Sequence, residues 1–262
     1  MGMFHATGST NGGTQDIAKL KQPMNKIDAC ERLIVALDLP DVPSARAMVQ
    51  TLAAVTGFFK VGLALQLAPG VETLIDSLLE DRKQLFLDYK YYDIPETLTK
   101  AVSRAASRGV TFLTIHGSSD LIKAAVKGRG DSPMKLFTVT VLTSWDEGDL
   151  AEMGYSQHSI AELVLFRAKM ALNAGCDGVI ASGHEAQAIK ALSQKLLVIT
   201  PGIRPYSHSQ DDQKRRMTPA DAILAGADYL VIGRPITDAP DPLEAAKSIL
   251  TEMQDAFDRV SR

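Results

Sequence analysis

Short runs of apolar residues alternate along this chain with longer segments whose apolar positions recur at helical spacing. This alternation is typical of a parallel sheet whose strands are buried on both faces and joined by crossover helices. The predicted strands are Leu33–Asp38, Phe58–Leu63, Gln84–Tyr89, Thr111–Ile115, Leu136–Leu142, Gly178–Ala181, Leu197–Thr200 and Tyr229–Gly233. The pattern therefore predicts a chain of repeated β/α units.

The segments between these runs have lengths that suit helices. Examples are Pro43–Ala54, Pro95–Arg108 and Ser159–Asn173, and Leu243–Val260 follows the last run. Proline opens two of them, and it is favoured in the first turn of a helix because the N–H that it lacks would have no partner there. These segments are predicted to be the crossover helices.

A weak internal repeat supports this organisation. Stretches 109–111, 175–177 and 226–228 each begin with glycine, follow a helical segment and precede an apolar run. Glycine there suits the left-handed residue that ends many helices. The sequence thus predicts an α/β fold, a single TIM (β/α)8 barrel. A doubly wound open sheet is the alternative, although the chain has neither a dinucleotide fingerprint after the first strand nor a phosphate-binding Gly-x4-Gly-Lys-Ser/Thr loop.

The first residues of the chain differ from the rest. Residues 1–30 are rich in Gly, Ser, Thr and Asn and show no periodicity, which predicts a disordered or loosely packed N-terminal arm. The barrel is then expected to form the catalytic domain over residues 31–262.

Composition narrows the function without deciding it. The 262 residues carry a net charge of −3 and no long basic tract, so nucleic acid is not an expected partner. Cys30 and Cys176 are too few for a disulfide framework or a zinc site. No secretory signal and no apolar run of about 18 residues is visible, so we expect a cytoplasmic protein with no membrane contact.

The third predicted strand ends in an unusual group of charges. Asp88 and Lys90 are two positions apart, which predicts that both project from one face, and Lys60 is embedded in the preceding strand. Burying such charges without partners would cost several kcal/mol, so they must neutralise one another or a ligand. Alternating carboxylates and ammonium groups suit a reaction that builds negative charge on carbon and then protonates it. A purely structural ion-pair network is the alternative.

Two arginines suggest a phosphate site. Arg204 and Arg234 follow the seventh and eighth predicted strands, where TIM barrels often bind phosphate, and Gly202 and Gly233 precede them. The guanidinium group matches phosphate with two donors at once. The polar segment 206–217 is long enough to close over such a group.

These motifs together resemble one family. The stretch from Asp88 to Thr97 resembles the Asp-x-Lys-x-x-Asp-Ile-Pro-x-Thr signature of the orotidine 5′-phosphate decarboxylases. Further motifs follow in family order from about Leu33 to Ala239: Ala36–Asp38, Lys60, Thr140–Ser144, Thr200–Pro205, Asp211–Gln213 and Ile232–Pro235. Tyr89, Tyr91, Tyr92 and Glu96 stand where many relatives carry Leu, Phe, His and Asn. They lie between the charged positions, so we expect them to affect loop packing rather than chemistry.

The resemblance implies a cofactor-free carboxy-lyase of pyrimidine biosynthesis that binds orotidine 5′-phosphate and releases UMP. Lys90 would stabilise and protonate the carbanion beside Asp88, while Asp38 and Lys60 would hold the ribose. The remaining substrate contacts implied are Thr143 at the pyrimidine and Arg204, Gln213, Gly233 and Arg234 at the phosphate. Asp93 and Thr97 would act in trans, in the neighbouring subunit's site of a homodimer.

Two rival functions remain open. One is an Mg²⁺-dependent sugar-phosphate decarboxylase or synthase of the same barrel type, and the other is a catalytically silent nucleotide-binding barrel. His116 either lines the pocket or is a hydrogen-bonded core histidine, and Trp145 either covers the mouth or anchors a loop. No His-x-His or His-x-x-Glu spacing proposes a metal site.

Overall fold

The predicted apolar runs become the strands of one closed barrel. The computed structural model describes residues 1–2, 27–205 and 215–260. In these ranges eight parallel strands pair in chain order, and the eighth closes the barrel against the first. They are β1 Leu33–Ala36, β2 Phe58–Gly62, β3 Gln84–Tyr91, β4 Phe112–Ile115, β5 Lys135–Val139, β6 Gly178–Ile180, β7 Leu197–Thr200 and β8 Tyr229–Ile232. The predicted (β/α)8 barrel is confirmed.

Helices surround the barrel between the strands. They are α1 Val42–Leu52, α2 Val71–Glu80, α3 Pro95–Ser107, α4 Ser119–Arg129, α5 Glu147–Glu152, α6 Ile160–Asn173, α7 Gly183–Leu192, α8 Pro219–Leu224, α9 Arg234–Thr237 and α10 Pro242–Val260. Local sequence fixes their starts: Asp41 and Thr218 accept hydrogen bonds from the backbone of the first turn, and Ser159 forms a capping box with Glu162. Among the described helices, none is both long and apolar enough to cross a membrane.

The buried residues form two separate layers. Aliphatic side chains that point out of the strands pack against the helices, for example Leu87 and Leu113. Inside the barrel, a cluster that we call the aromatic base consists of Phe58, Phe86, Phe112, Phe137 and Tyr229. The ring centroid of Phe112 lies 4.9 Å from that of Phe58, 4.7 Å from that of Phe137 and 5.0 Å from that of Tyr229. This base fills the barrel below the ends of the strands.

The third strand departs from the regular barrel ladder. Its pairing with β4 runs through Leu87 opposite Leu113 and resumes with Tyr91 opposite Ile115. Four steps along β3 therefore match two along β4, so residues 88–90 form a bulge. β3 ends at Tyr91, two residues beyond its predicted end.

The N-terminal segment is described only at its end. The predicted arm, residues 1–30, lies largely outside the described residues, at 3–26. Its last residues contact the final helix, because Gln254 accepts from the N–H of Ala29 and donates to the carbonyl of Ile27. The contacts of the barrel thus begin four residues before the boundary predicted at residue 31.

Candidate active site

A cavity of about 480 Å³ opens at the carboxyl ends of the strands. This end of a (β/α)8 barrel is where active sites of such barrels lie. The volume is within the range of small-molecule sites. The predicted site residues that line it are Asp38, Lys60, Asp88, Lys90, Thr143, Arg204, Gly233 and Arg234. Side chains from the first and last β/α units thus meet in one pocket.

Four charges alternate along one side of the cavity, and we call them the charged wall: Asp38, Lys60, Asp88 and Lys90. Lys60 Nζ lies 3.1 Å from Asp38 Oδ1 and 3.4 Å from Asp88 Oδ2. Lys90 Nζ lies 2.9 Å from Asp88 Oδ1. The formal charges cancel, which limits the cost of placing them side by side in a partly dry site.

Exposure differs along the charged wall. The side chains of Lys60 and Asp88 are 7% and 16% exposed, whereas that of Lys90 is 33% exposed. Lys60 is therefore enclosed between two carboxylates, and Lys90 presents its ammonium group to the cavity. Both lysines line the cavity, and Lys90 is the more exposed of the two.

The Asp88 carboxyl is kept ionised by its neighbours. Burial favours its neutral form and acts to raise its pKa, but the positive charges of Lys60 and Lys90 act in the opposite direction. Hydrogen bonds donated by Lys90 and Thr114 add to their effect, and the pKa of Asp88 ends below its ordinary value. A molecule bound in the cavity therefore meets a carboxylate.

Glycine at the end of β2 makes room for the charged wall. A Cβ atom at Gly62 would lie 2.8 Å from Lys60 Nζ and 3.1 Å from Asp38 Oδ1. Any larger residue would push on the ion pair itself. The sequence pattern does not predict this role, because the glycine stands at the end of an ordinary apolar strand.

The two predicted arginines also line the cavity. Arg204 and Arg234 follow β7 and β8, as predicted, and both line the cavity with Gly202 and Gly233. Gly202 has a φ of 78°, a left-handed conformation that glycine adopts without strain. The cavity thus has two guanidinium groups in addition to the charged wall, which suit an anionic group on a ligand.

Other predicted site residues lie elsewhere. Asp93 and Thr97 are exposed and do not line this cavity. Gln213, with most of the segment 206–217, lies outside the described residues. Their roles stay predictions.

His116 and Trp145 do not line the cavity. The ring of His116 contacts the edge of Tyr92, and burial together with the charges of Arg167 and Lys90 lowers the pKa of His116. Trp145 is partly buried against the aliphatic layer between the strands and the helices, which agrees with the alternative that it anchors a loop. Among the described residues, no group of three His, Cys, Asp or Glu side chains could hold a metal ion.

The sequence does not single out Thr114, because threonine is common in strands. Its buried hydroxyl accepts a hydrogen bond from the Lys90 backbone N–H at 3.0 Å and donates one to Asp88 Oδ1 at 2.9 Å. Only the alignment of β4 beside the bulge of β3 brings these groups together.

Comparison with known proteins gives a consistent family. Residues 31–249 match the family model of "Orotidine 5'-phosphate decarboxylase / HUMPS family". A protein from Nitrobacter winogradskyi named orotidine 5′-phosphate decarboxylase is 50% identical over 230 residues, which are 87% of this chain and 95% of that protein. One of the same name from Methylococcus capsulatus is 44% identical and covers 88% of this chain and 95% of its own length. The crystal structure of orotidine 5′-phosphate decarboxylase from Lactobacillus acidophilus superimposes with a TM-score of 0.74 at 35% identity, over 85% of this chain and 99% of that one.

Proposed function

The chain belongs to the orotidine 5′-phosphate decarboxylase / HUMPS family, and we infer that it decarboxylates orotidine 5′-phosphate to UMP. The observation that carries this function is the Asp88–Lys90 pair on the wall of a cavity that two arginines also line. The pair provides a carboxylate and a proton donor at one place. The arginines provide a site for the phosphate that the substrate carries.

Binding begins, in this proposal, at the two arginines of the cavity. Arg234 and the backbone of Gly233 hold the phosphate, with Arg204 as a further donor and Gln213 donating from its amide. Asp38 and Lys60 hold the ribose hydroxyls, and Thr143 contacts the pyrimidine. Energy gained at the phosphate is available to orient the distant ring, so it contributes to turnover as well as to affinity.

The chemical step takes place at the charged wall. The substrate carboxylate lies beside Asp88, and repulsion between the two anions disfavours the bound ground state. As the bond to the carboxyl group breaks, CO₂ leaves and the electron pair stays on the ring carbon. Lys90 stabilises this charge with its ammonium group and then gives that carbon a proton, which yields UMP.

A second copy of the chain completes the site in this proposal. Asp93 and Thr97 lie outside their own cavity, and the two chain neighbours of Asp93, Tyr92 and Ile94, are exposed apolar side chains. Leu63 and Leu67, which follow β2, are exposed as well. Exposed large apolar side chains are a common mark of a protein interface. We propose a homodimer in which Asp93 and Thr97 reach the partner's site. The cytoplasm stays the expected location.

The dimer proposal has a direct test in mixed subunits. A Lys90→Ala chain and an Asp93→Ala chain should each be inactive alone. If Asp93 acts in trans, a mixed dimer has one site with both residues intact, so an equal mixture should regain about a quarter of wild-type activity. If the equal mixture stays as inactive as each variant alone after subunit exchange, action in trans is contradicted.

The function itself is tested by incubating the protein with orotidine 5′-phosphate and excess EDTA while the loss of absorbance is followed as UMP forms. Turnover should be unaffected by the chelator. The Mg²⁺-dependent sugar-phosphate enzymes would lose activity with EDTA, and a silent nucleotide-binding barrel would bind UMP without turning over the substrate.

The role of Lys90 is tested by Lys90→Ala. UMP binding should stay measurable by calorimetry while decarboxylation falls to near background. Lys100→Ala is the control, because Lys100 is an exposed lysine paired with Glu96 on the barrel surface. Normal turnover in Lys90→Ala would contradict the proposed mechanism.

A further inference from the structure

Lys90 has a backbone conformation that is rare for its residue type. Its φ is 49°, in the left-handed region. Among the described residues other than glycine, Arg82 is the other example, with a φ of 55°, and it lies in the turn between α2 and β3. Lys90 instead lies inside a strand, where such a conformation costs roughly 1–3 kcal/mol and persists only when its surroundings hold it.

The bulge in β3 explains why support is needed there. Pairing with β4 passes from Leu87–Leu113 directly to Tyr91–Ile115, so the ladder skips the residues in between. The N–H of Lys90 donates to the side-chain hydroxyl of Thr114 rather than to a carbonyl of β4. A side chain thus replaces a strand partner at the residue that carries the ammonium group.

The same hydroxyl also contacts the carboxylate that faces Lys90. Thr114 Oγ1 lies 2.9 Å from Asp88 Oδ1 and 3.5 Å from the carbonyl of Leu87, so the carboxylate is the closer acceptor. Asp88 Oδ1 therefore accepts from both Thr114 and the ammonium group of Lys90. One hydroxyl fixes the backbone of Lys90 and the side chain of Asp88 at once.

We propose that Thr114 is a positioning residue of the decarboxylation, which sets the distance and direction between Lys90 and Asp88. The inference rests on the proposed function, because it assumes that these two residues do the chemistry. Thr114 does not line the cavity and has no contact with a bound nucleotide in this proposal. Its effect is therefore on the chemical step rather than on binding.

The test is Thr114→Val, which keeps the shape and removes the hydroxyl, compared with Thr114→Ser, which keeps the hydroxyl. A misplacement of catalytic groups by about 1 Å can cost on the order of 100-fold in rate, so we expect kcat to fall by about 10- to 100-fold in Thr114→Val. KM for orotidine 5′-phosphate should stay within about threefold, and Thr114→Ser should recover most of kcat.

Thr56 provides a matched control at the other end of the barrel. It is also buried, accepts from a backbone N–H, that of Phe58, and donates to a backbone carbonyl, that of Leu33. Thr56→Val should lower stability to a similar degree but leave kcat unchanged. Equal kcat values in Thr114→Val and Thr56→Val would overturn the proposal.

The acid side of the pH profile gives a second readout. Loss of the Thr114 hydrogen bond removes one of the causes that lower the pKa of Asp88, so the acid limb of kcat should move to higher pH in Thr114→Val only. If Thr114→Val does not fold, Thr114→Ala compared with Thr114→Ser isolates the hydroxyl in the same way. If the hydroxyl-free variant keeps the wild-type pH profile and kcat while Lys90→Ala is inactive, only the role of Thr114 is refuted. If Lys90→Ala is active, the proposed function is refuted instead.

Discussion

The same three strands build two opposite environments inside the barrel. Phe58, Phe86 and Phe112 belong to the aromatic base, and two residues further along each strand stand Lys60, Asp88 and Thr114. Successive inward positions are two residues apart because side chains of a strand alternate between its faces. One strand thus changes from an aromatic to an ionic environment over a single step of this alternation.

The difference between the two regions concerns what each contributes to the molecule. The aromatic base buries large apolar side chains and gains packing between ring edges and faces. The charged wall requires buried or half-buried ions, whose mutual attraction does little more than offset their loss of hydration. We infer that the base supplies stability and that the charged wall supplies chemistry at little or no gain in stability.

The strongest test of this comparison removes the inner ion pair. In the double variant Lys60→Met with Asp88→Leu, decarboxylation should fall to background. The unfolding free energy should stay level or rise by about 1–4 kcal/mol, because the two most buried charges are removed together. Asp38 and Lys90 each lose a partner, but their side chains are 50% and 33% exposed and stay hydrated. Turnover of orotidine 5′-phosphate and urea unfolding measure the two effects.

The single variant Asp88→Leu is the control for that pair. It leaves Lys60 enclosed with only Asp38 and should be less stable than the double variant by up to about 3–5 kcal/mol. A double variant that is far less stable than the wild type would show that the charged wall also holds the barrel together.

The converse change is Phe112→Ala in the aromatic base. Removing a fully packed phenylalanine should cost about 3–5 kcal/mol of unfolding free energy. The kcat of the protein that remains folded should change little, because Phe112 does not line the cavity and packs against other rings of the aromatic base.

Phe166→Ala is the matched control, since Phe166 is 66% exposed on α6 and its loss should cost little. A large loss of kcat in Phe112→Ala would mean that the two regions are coupled more closely than their separate packing indicates.

The pH dependence of stability gives a smaller effect at the charged wall. The folded pKa of Asp88 is lowered, so its ionised form adds stability at pH values above its unfolded pKa of about 4. That contribution is lost as the pH falls through the folded pKa. As the pH falls from 7 to below 4, the wild type should therefore lose unfolding free energy relative to Asp88→Asn. A difference between the two proteins that stays constant over this range would contradict the lowered pKa of Asp88.

The smallest effect is expected for an ion pair outside the barrel. Lys100 Nζ lies 2.7 Å from Glu96 Oε1, closer than any contact of the charged wall, but both side chains are mostly exposed. Lys100→Ala should change the unfolding free energy by at most about 0.5 kcal/mol and leave turnover unchanged. Thermal unfolding of Lys100→Ala and the wild type in low and high salt measures this contribution. A small difference would show that burial, rather than distance, decides how much an ion pair contributes to stability.

Much of the site was accessible from local sequence. Asp88 and Lys90 follow an apolar run and stand two positions apart, and Arg204 and Arg234 follow the last two strands. In a barrel of parallel strands the carboxyl ends all meet at one mouth, so residues distant in the chain could be predicted to converge. The cavity does bring together Asp38, Lys60, Asp88, Lys90, Thr143, Arg204, Gly233 and Arg234.

The sequence by itself determined which residues are buried, where the strands and main helices lie, and which charges end the strands, because these depend on periodicity within a few residues. Only the tertiary structure decided the bulge of β3, the left-handed backbone of Lys90 and the hydroxyl of Thr114 that holds it. Those features depend on the register between two strands, which is set by packing around the whole barrel. No pattern within a single strand carries that register.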